Sequence, residues 1–347
     1  VTLAAGGAPV RAKSVRAGKG SGSAAISDIE LSRDLDDDEI AKLRVEVPDQ
    51  PAATVFARGV LDDPAFVAKD AQLGARCTPF KTEFATWSPV SDAVELLLFD
   101  SAAAPSPSRT VALRPGANGT WSATVPGDLH GKPYLYRFTS YGQQRTTPDI
   151  HCIAATHDSA RSVAVDLGRV QPEGCSATGA ATGLAYLKSL GITAVHLLPV
   201  HDYGGTPDAY NWGYWTQFFN VPESNYATDR ADPLSAIRDL RTAITGLHAA
   251  RLGVILDVVY NHTCSSGNSV ADERPMVRKY VLDSLAFWLE QYKVDGFRFD
   301  LLATHTPDTV RAACELVKRI RPDATLYGEP WTGGGPIRFG KGAQKGL

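Results

Sequence analysis

Along the second half of the chain, short apolar runs alternate with stretches of helical periodicity. Leu184 to Leu190 reads as helical, and Ile192 to Val200 is an apolar run ending at His201. Leu234 to Leu252 is again helical, and Gly253 to Tyr260 runs apolar into Asn261 and His262. Val294 to Phe299 ends in Asp300, and Thr325 to Gly328 ends in Glu329. Between those last two runs, Val310, Ala313, Leu316, Val317 and Ile320 recur at helical spacing over Pro307 to Ile320. A strand–helix–strand unit makes its two strands parallel neighbours. Four such strands, each with polar groups at its C-terminal end, predict part of a (β/α)8 barrel whose active face lies at those ends.

Upstream the period changes from helical to two. Thr82 to Trp87, Ala93 to Phe99, Gly119 to Ala123 and Tyr134 to Phe138 alternate, with Gly, Pro and Asp between them, which predicts a β-sandwich. Trp87 and Trp121 within it are either core residues or a sugar-binding platform. Leu43 to Val47 and Ala53 to Ala57 are short strand-like pieces of a small β region. Residues 1–25, rich in Gly, Ala, Ser and basic side chains, predict a weakly ordered start. The chain is therefore divided into a flexible or small β region (1–67), a β-sandwich (68–167) and the N-terminal part of a barrel (168–347).

Composition narrows the function classes. The 347 residues suffice for two or three domains, with apolar and charged fractions of 44% and 21% that are ordinary for a soluble globular chain. A net charge of −3 points away from nucleic acid and anionic membrane surfaces, and is compatible with a neutral polymer. No run reaches the ~20 apolar residues of a membrane span. The five cysteines, Cys77, Cys152, Cys175, Cys264 and Cys314, are odd in number and lack metal-ligand spacing, so reduced thiols are expected. The chain starts at Val1 and has no signal-peptide core, which leaves location open between cytoplasmic and secreted.

Asp300 and Glu329 carry the candidate chemistry. They end consecutive parallel strands, so both face one crevice and can divide the roles of nucleophile and general acid/base, as in retaining glycoside hydrolysis. Their carboxyl oxygens are expected roughly 5–5.5 Å apart. Arg298, two residues before Asp300, points to the same strand face and would hold that carboxylate ionised and aimed. Glu329 as the acid requires a raised pKa, for which Tyr327, Pro330 and Trp331 would be desolvating walls.

The segments DVVYNH (257–262), GFRFD (296–300) and YGEPW (327–331) resemble three signature regions of the α-amylase superfamily, glycoside hydrolase family 13. YNWGY (210–214) is similar to the segment that marks type I pullulanases, and residues 68–167 resemble the family 48 carbohydrate-binding module preceding such barrels. The resemblance implies Asp300 as nucleophile and Glu329 as acid/base. It implies Arg298, His262, Tyr214, Tyr210, Trp212 and Trp331 on the substrate side, with Tyr214 under the sugar at the cleavage point. Asp257 would orient Arg298. His201 is either a substrate contact or a hydrogen-bonding support. Asn261 matches a calcium-ligand position in some relatives, but one matching position does not assign a metal, and no cofactor is expected. Trp215 and Thr216 stand where type I pullulanases carry Asp-Pro, which leaves the bond preference less constrained.

Three family features are missing from the pattern. A first barrel strand is expected before Leu184, where Gly174 to Ala180 stands instead; the loop after His262 is short; and the fourth signature region, with its second Asp, does not occur. The sequence is therefore read as incomplete, and poor folding and negligible hydrolysis of pullulan are expected of the chain alone. The expected function is retaining cleavage of α-1,6-glucosidic linkages in pullulan, glycogen or limit dextrins, with an α-glucan as partner and neither nucleic acid nor membrane. A branching enzyme, an α-1,4-acting amylase and an inactive glucan-binding protein remain as alternatives.

Overall fold

The computed structural model describes residues 2–5, 8–17, 27–35, 39, 43–46, 53–55, 58–172, 177–205, 209–264 and 270–334. The start of the chain is more regular than its composition suggested. Strands β1 (Thr2–Ala5), β2 (Ala8–Val10), β3 (Ala12–Ala17), β4 (Ser27–Leu31), β5 (Leu43–Glu46) and β6 (Ala53–Thr54) form there. An antiparallel sheet runs in the order β2-β1-β5-β6, and β3 pairs with β4. Leu3, Val10 and Leu43 are buried against Ile29, Leu31, Val45 and Val55. The expectation of a weakly ordered start is thus corrected for 2–5 and 8–17; residues 18–26, Val47, Phe56 and Ala57 lie outside the described residues. Strands β5 and β6 fall within the two strand-like pieces expected there, whereas β1 and β2, of four and three residues, are too short for a periodicity to show.

The sandwich comprises β7 (Gly74–Cys77), β8 (Lys81–Trp87), β9 (Ala93–Leu98), β10 (Arg109–Ala112), β11 (Arg114–Pro115), β12 (Thr120–Pro126), β13 (Pro133–Ser140), β14 (Gln143–Thr147) and β15 (Ser162–Val163). One sheet is β11-β12-β8-β7; the other is β10-β9-β13-β14, with β15 also on β13. Alternation along β8 buries Thr82, Phe84 and Thr86, as a half-buried strand requires. Phe84, Val94, Leu96, Leu98, Trp121, Val125, Tyr134 and Tyr136 fill the space between the sheets. Of the two tryptophans, Trp121 is a core residue and Trp87 is half-buried outside that core. Trp121 donates its indole N–H to Ser88 O at 3.0 Å. The Trp87 indole N–H is shared between Phe66 O (2.9 Å) and Asn118 O (3.0 Å).

The second half contains α1 (Ala177–Ser189), β16 (Ala194–Leu197), β17 (His201–Tyr203), β18 (Thr216–Pro222), α2 (Ser235–Ala249), β19 (Gly253–Val258), α3 (Pro275–Gln291), β20 (Gly296–Phe299), α4 (Pro307–Ile320) and β21 (Thr325–Gly328). The sheet order is β16-β19-β20-β21, every pair parallel, as the alternation predicts. Central strands β19 and β20 are covered on both faces and are apolar apart from Asp257 and Arg298. At Gly296 an added Cβ would sit 2.1 Å from Thr325 O, so only glycine lets β20 approach its neighbour. Helix α4 starts with Pro307 at its first turn and with Thr306 as cap, and turns Val310, Ala313 and Val317 inward.

One expected strand is split. Ile192 to His201 is not continuous: β16 ends at Leu197, and His201 belongs to β17, which pairs antiparallel with β18. Pro199 lies at the break and has no amide hydrogen for the ladder. Sandwich and barrel share contacts. Tyr280 of α3 donates its hydroxyl to Ile150 O at 2.6 Å, and its ring meets His151 edge-on at 4.8 Å. Arg241 of α2 donates to the carbonyls of Leu167 (2.9 Å) and Val170 (2.7 Å).

Candidate active site

The register of β19, β20 and β21 places Asp257 opposite Arg298 and Arg298 opposite Tyr327. Arg298 and the two strand-end carboxylates therefore meet at one edge of the sheet. The Arg298 side chain is 15% exposed, and its guanidinium contacts three acids. Nη1 donates to Asp257 Oδ1 (2.8 Å) and Oδ2 (3.0 Å) and to Asp300 Oδ1 (2.9 Å), and Nη2 is 3.1 Å from Glu329 Oε2. Burial alone would lower the Arg298 pKa; the hydrogen bonds and charge of Asp257 and Asp300 outweigh it and raise it. Asp257, itself buried, accepts from Arg298 with both carboxylate oxygens. A planar five-donor fork suits this role better than a lysine ammonium.

Asp300 is held from both sides. Its Oδ1 accepts from Arg298 and its Oδ2 accepts from Asn261 Nδ2 at 2.9 Å. The same amide also donates to Asp300 O at 2.9 Å. Asp300 N continues the strand ladder to Val258 O at 3.0 Å. The next residue, Leu301, has φ 43 and ψ 48, a left-handed conformation unusual for a branched side chain. That turn aims Leu301 N at Glu329 Oε2, 3.4 Å away. Glu329 N in turn donates to Phe299 O at 2.9 Å. Glu329 Oε2 thus has two partners, whereas its Oε1 has no hydrogen bond among the described residues.

Tyr214 donates its hydroxyl to Asp257 Oδ2 at 2.7 Å, and burial followed by that carboxylate pushes its phenol pKa up. Its carbonyl oxygen lies 2.7 Å from His262 Nε2, while His262 Nδ1 is in close contact with Asn261 Oδ1. His262 is therefore half-buried with both ring nitrogens engaged, and a sugar hydroxyl has to replace one of these bonds. Tyr210 and Trp212 extend into solvent, 86% and 60% exposed, from a loop fixed by Asn211 Oδ1 accepting from Gly213 N at 2.9 Å.

Two expectations are corrected by the geometry. Tyr327 and Trp331 do not wall off Glu329: they are 44% and 59% exposed, and the Tyr327 hydroxyl is spent on His196 Nδ1 at 3.0 Å. His201 is not a substrate contact or a hydrogen-bonding support. It is fully buried beside Trp288, ring centroids 5.1 Å apart, and neither nitrogen has a partner among the described residues. Burial lowers its pKa to about 3.

Two residues were missed in the sequence reading. Asn261 was weighed only as a calcium-ligand position, yet it clamps Asp300; its place just beyond β19, next to the strand that carries Asp300, was the available signal. His196, a polar residue in the middle of an apolar run, lies 3.5 Å from Asp257 Oδ2 and joins it to Tyr327.

Comparison with known proteins agrees with this layout. Residues 72–150 match Carbohydrate-binding module 48 (Isoamylase N-terminal domain), and residues 173–274 match Alpha amylase, catalytic domain. The chain is 31% identical to the pullulanase of Bacillus subtilis (strain 168), over 82% of this chain and 49% of that protein. Its structure is similar to pullulanase from Bacillus acidopullulyticus, with a TM-score of 0.81 and 30% identity, covering 90% of this chain and 48% of the other. It is also similar to the D470A mutant of pullulanase from Paenibacillus barengoltzii complexed with maltotetraose, with a TM-score of 0.74 and 27% identity, covering 80% of this chain and 56% of that one. The chain thus spans about half the length of these relatives.

Proposed function

We propose that this chain, a member of the α-amylase superfamily with a family 48 carbohydrate-binding module before its barrel strands, carries the nucleophile and acid/base of a retaining α-1,6-glucan hydrolase. The observation that carries this reading is one guanidinium touching carboxylates from two adjacent parallel strands, Asp300 and Glu329. Asp300 attacks the anomeric carbon. Arg298 and Asn261 fix both of its oxygens, and each oxygen keeps a lone pair for the new bond. Glu329 protonates the departing glycosidic oxygen through Oε1, the oxygen without a hydrogen bond among the described residues. It then takes a proton from the water that hydrolyses the glycosyl-enzyme, so the configuration is retained. The pullulanase relatives support the α-1,6 linkage, and the maltotetraose complex of one neighbour supports an α-glucan as partner.

Incubation with pullulan of a version extended to the length of the pullulanase relatives tests the reading, since negligible turnover is expected of these 347 residues alone. Maltotriose as product marks α-1,6 cleavage, and Asp300→Asn is expected to abolish it. Cleavage at α-1,4 bonds would move the function to an amylase. Binding of pullulan with no turnover, in wild type and Asp300→Asn alike, would reduce the chain to a glucan-binding protein.

A further inference from the structure

Trp215 is 44% exposed, although it lies between half-buried Tyr214 and fully buried Thr216. An exposed indole forfeits the burial that stabilises a core tryptophan, so packing does not account for its position. Its backbone is fixed: Gly204 N donates to Trp215 O at 2.9 Å, and Cys264 N donates to Thr216 O at 2.8 Å. Its ring lies 5.4 Å from the His262 ring, at 53° to it. From there a series of fixed contacts leads to the nucleophile, through His262 Nδ1 on Asn261 and Asn261 Nδ2 on Asp300. The indole therefore stands two side chains away from the carboxylate that would attack the substrate, held just before β18 by backbone hydrogen bonds and open to solvent.

We propose that Trp215 forms a glucosyl-stacking subsite, with its indole face against a sugar ring adjoining the scissile bond and His262 closing the corner. This rests on the glucan reading of the Asp300 and Glu329 site. Pyranose rings are neutral and present apolar C–H faces, which suit a flat apolar ring with no charge of its own. Tyr214, one residue earlier, is turned the other way and bonded to Asp257, so neighbouring aromatic residues serve different positions. The stacking residue adds affinity and selects which ring of a glucan sits beside the reacting one.

The test uses the full chain and maltohexaose, with binding followed by calorimetry. Trp215→Ala is expected to weaken Kd by roughly three- to tenfold and Trp215→Phe to stay within about twofold of wild type. Acrylamide quenching, compared between wild type and Trp215→Phe, is expected to show that saturating maltohexaose shields the Trp215 indole. If Trp215→Ala binds as wild type does while Trp212→Ala loses affinity, the glucan site stands and the Trp215 subsite is refuted. Unchanged quenching of Trp215 at saturation refutes it equally. A Trp215-dependent dimer in ultracentrifugation, insensitive to maltohexaose, would assign the indole to a second copy of the chain and overturn the proposal. Wild-type protein that binds no maltohexaose overturns the glucan reading, and this subsite with it.

Discussion

Replacing His201 with Leu tests how the barrel core responds to acid. His201 is fully buried against Trp288, with Tyr260 also nearby at 6.5 Å between ring centroids. Burial holds its pKa at about 3, against 6.5 for the free side chain, so it is neutral in the folded protein. Below pH 6.5 the unfolded chain takes up a proton that the folded chain refuses. Stability is therefore lost as pH falls from 6.5 toward about 3. At pH 5 the unfolded His is protonated in a ratio of about 30 to 1, which costs about 2 kcal/mol. At pH 7.5 the same term is about 0.1 kcal/mol. Leu has similar bulk and no nitrogens, so any packing change shifts stability equally at both pH values. Urea unfolding, followed through the buried Trp288, gives the stability of each protein at pH 7.5 and 5.0. The advantage of His201→Leu over wild type is expected to grow by about 2 kcal/mol on acidification. Parallel losses, within about 0.5 kcal/mol, would show that His201 is solvated or partnered and would refute the reasoning.

Other perturbations separate other parts of the structure. Arg298→Ala leaves buried Asp257 and Asp300 without their cation and is expected to cost about 3–5 kcal/mol in urea unfolding at pH 7. Asp149, buried by β13, is pushed up to about 6 by desolvation, against 3.8 for the free side chain. Since the folded state holds its proton more tightly, stability falls as pH rises from 3.8 to about 6, by about 3 kcal/mol. Asp149→Asn keeps an acceptor for the Tyr134 hydroxyl and is expected to remove that slope, gaining on wild type between pH 4 and 8 in thermal unfolding.

The four parallel strands were legible because β19 and β20 are covered on both faces and flanked by helices whose apolar spacing is unambiguous. Asp300 and Glu329 were legible for a related reason: a carboxylate closing an apolar run has few structural uses. The Asn261 clamp was not, since it depends on how two strand ends meet and no spacing along one strand reports that. His201 misled because strand ends near the site are usually polar for a purpose, whereas the break at Pro199 sends this one into a separate ribbon and into the core. The openness around Glu329 was also hidden. Aromatic residues beside a carboxylate suggest a wall, but Tyr327 faces His196 and Trp331 faces solvent.

The Arg298 contacts also bear on how the sheet finds its alignment during folding. Parallel strands rich in Val, Ile, Leu and Phe can slide past one another with little loss of apolar contact. A slip of one residue between β19 and β20, or between β20 and β21, would turn Asp257 or Glu329 to the opposite face. The guanidinium would keep Asp300, on its own strand, but lose Asp257 or Glu329 and leave a buried charge under-paired, at a cost of several kcal/mol. The arrangement that groups the three carboxylates around Arg298 is thus the same one that rejects misaligned sheets. Substitutions at these positions should raise the proportion of misfolded chains as well as lower turnover, and the two effects need to be separated whenever a variant of this site is found inactive.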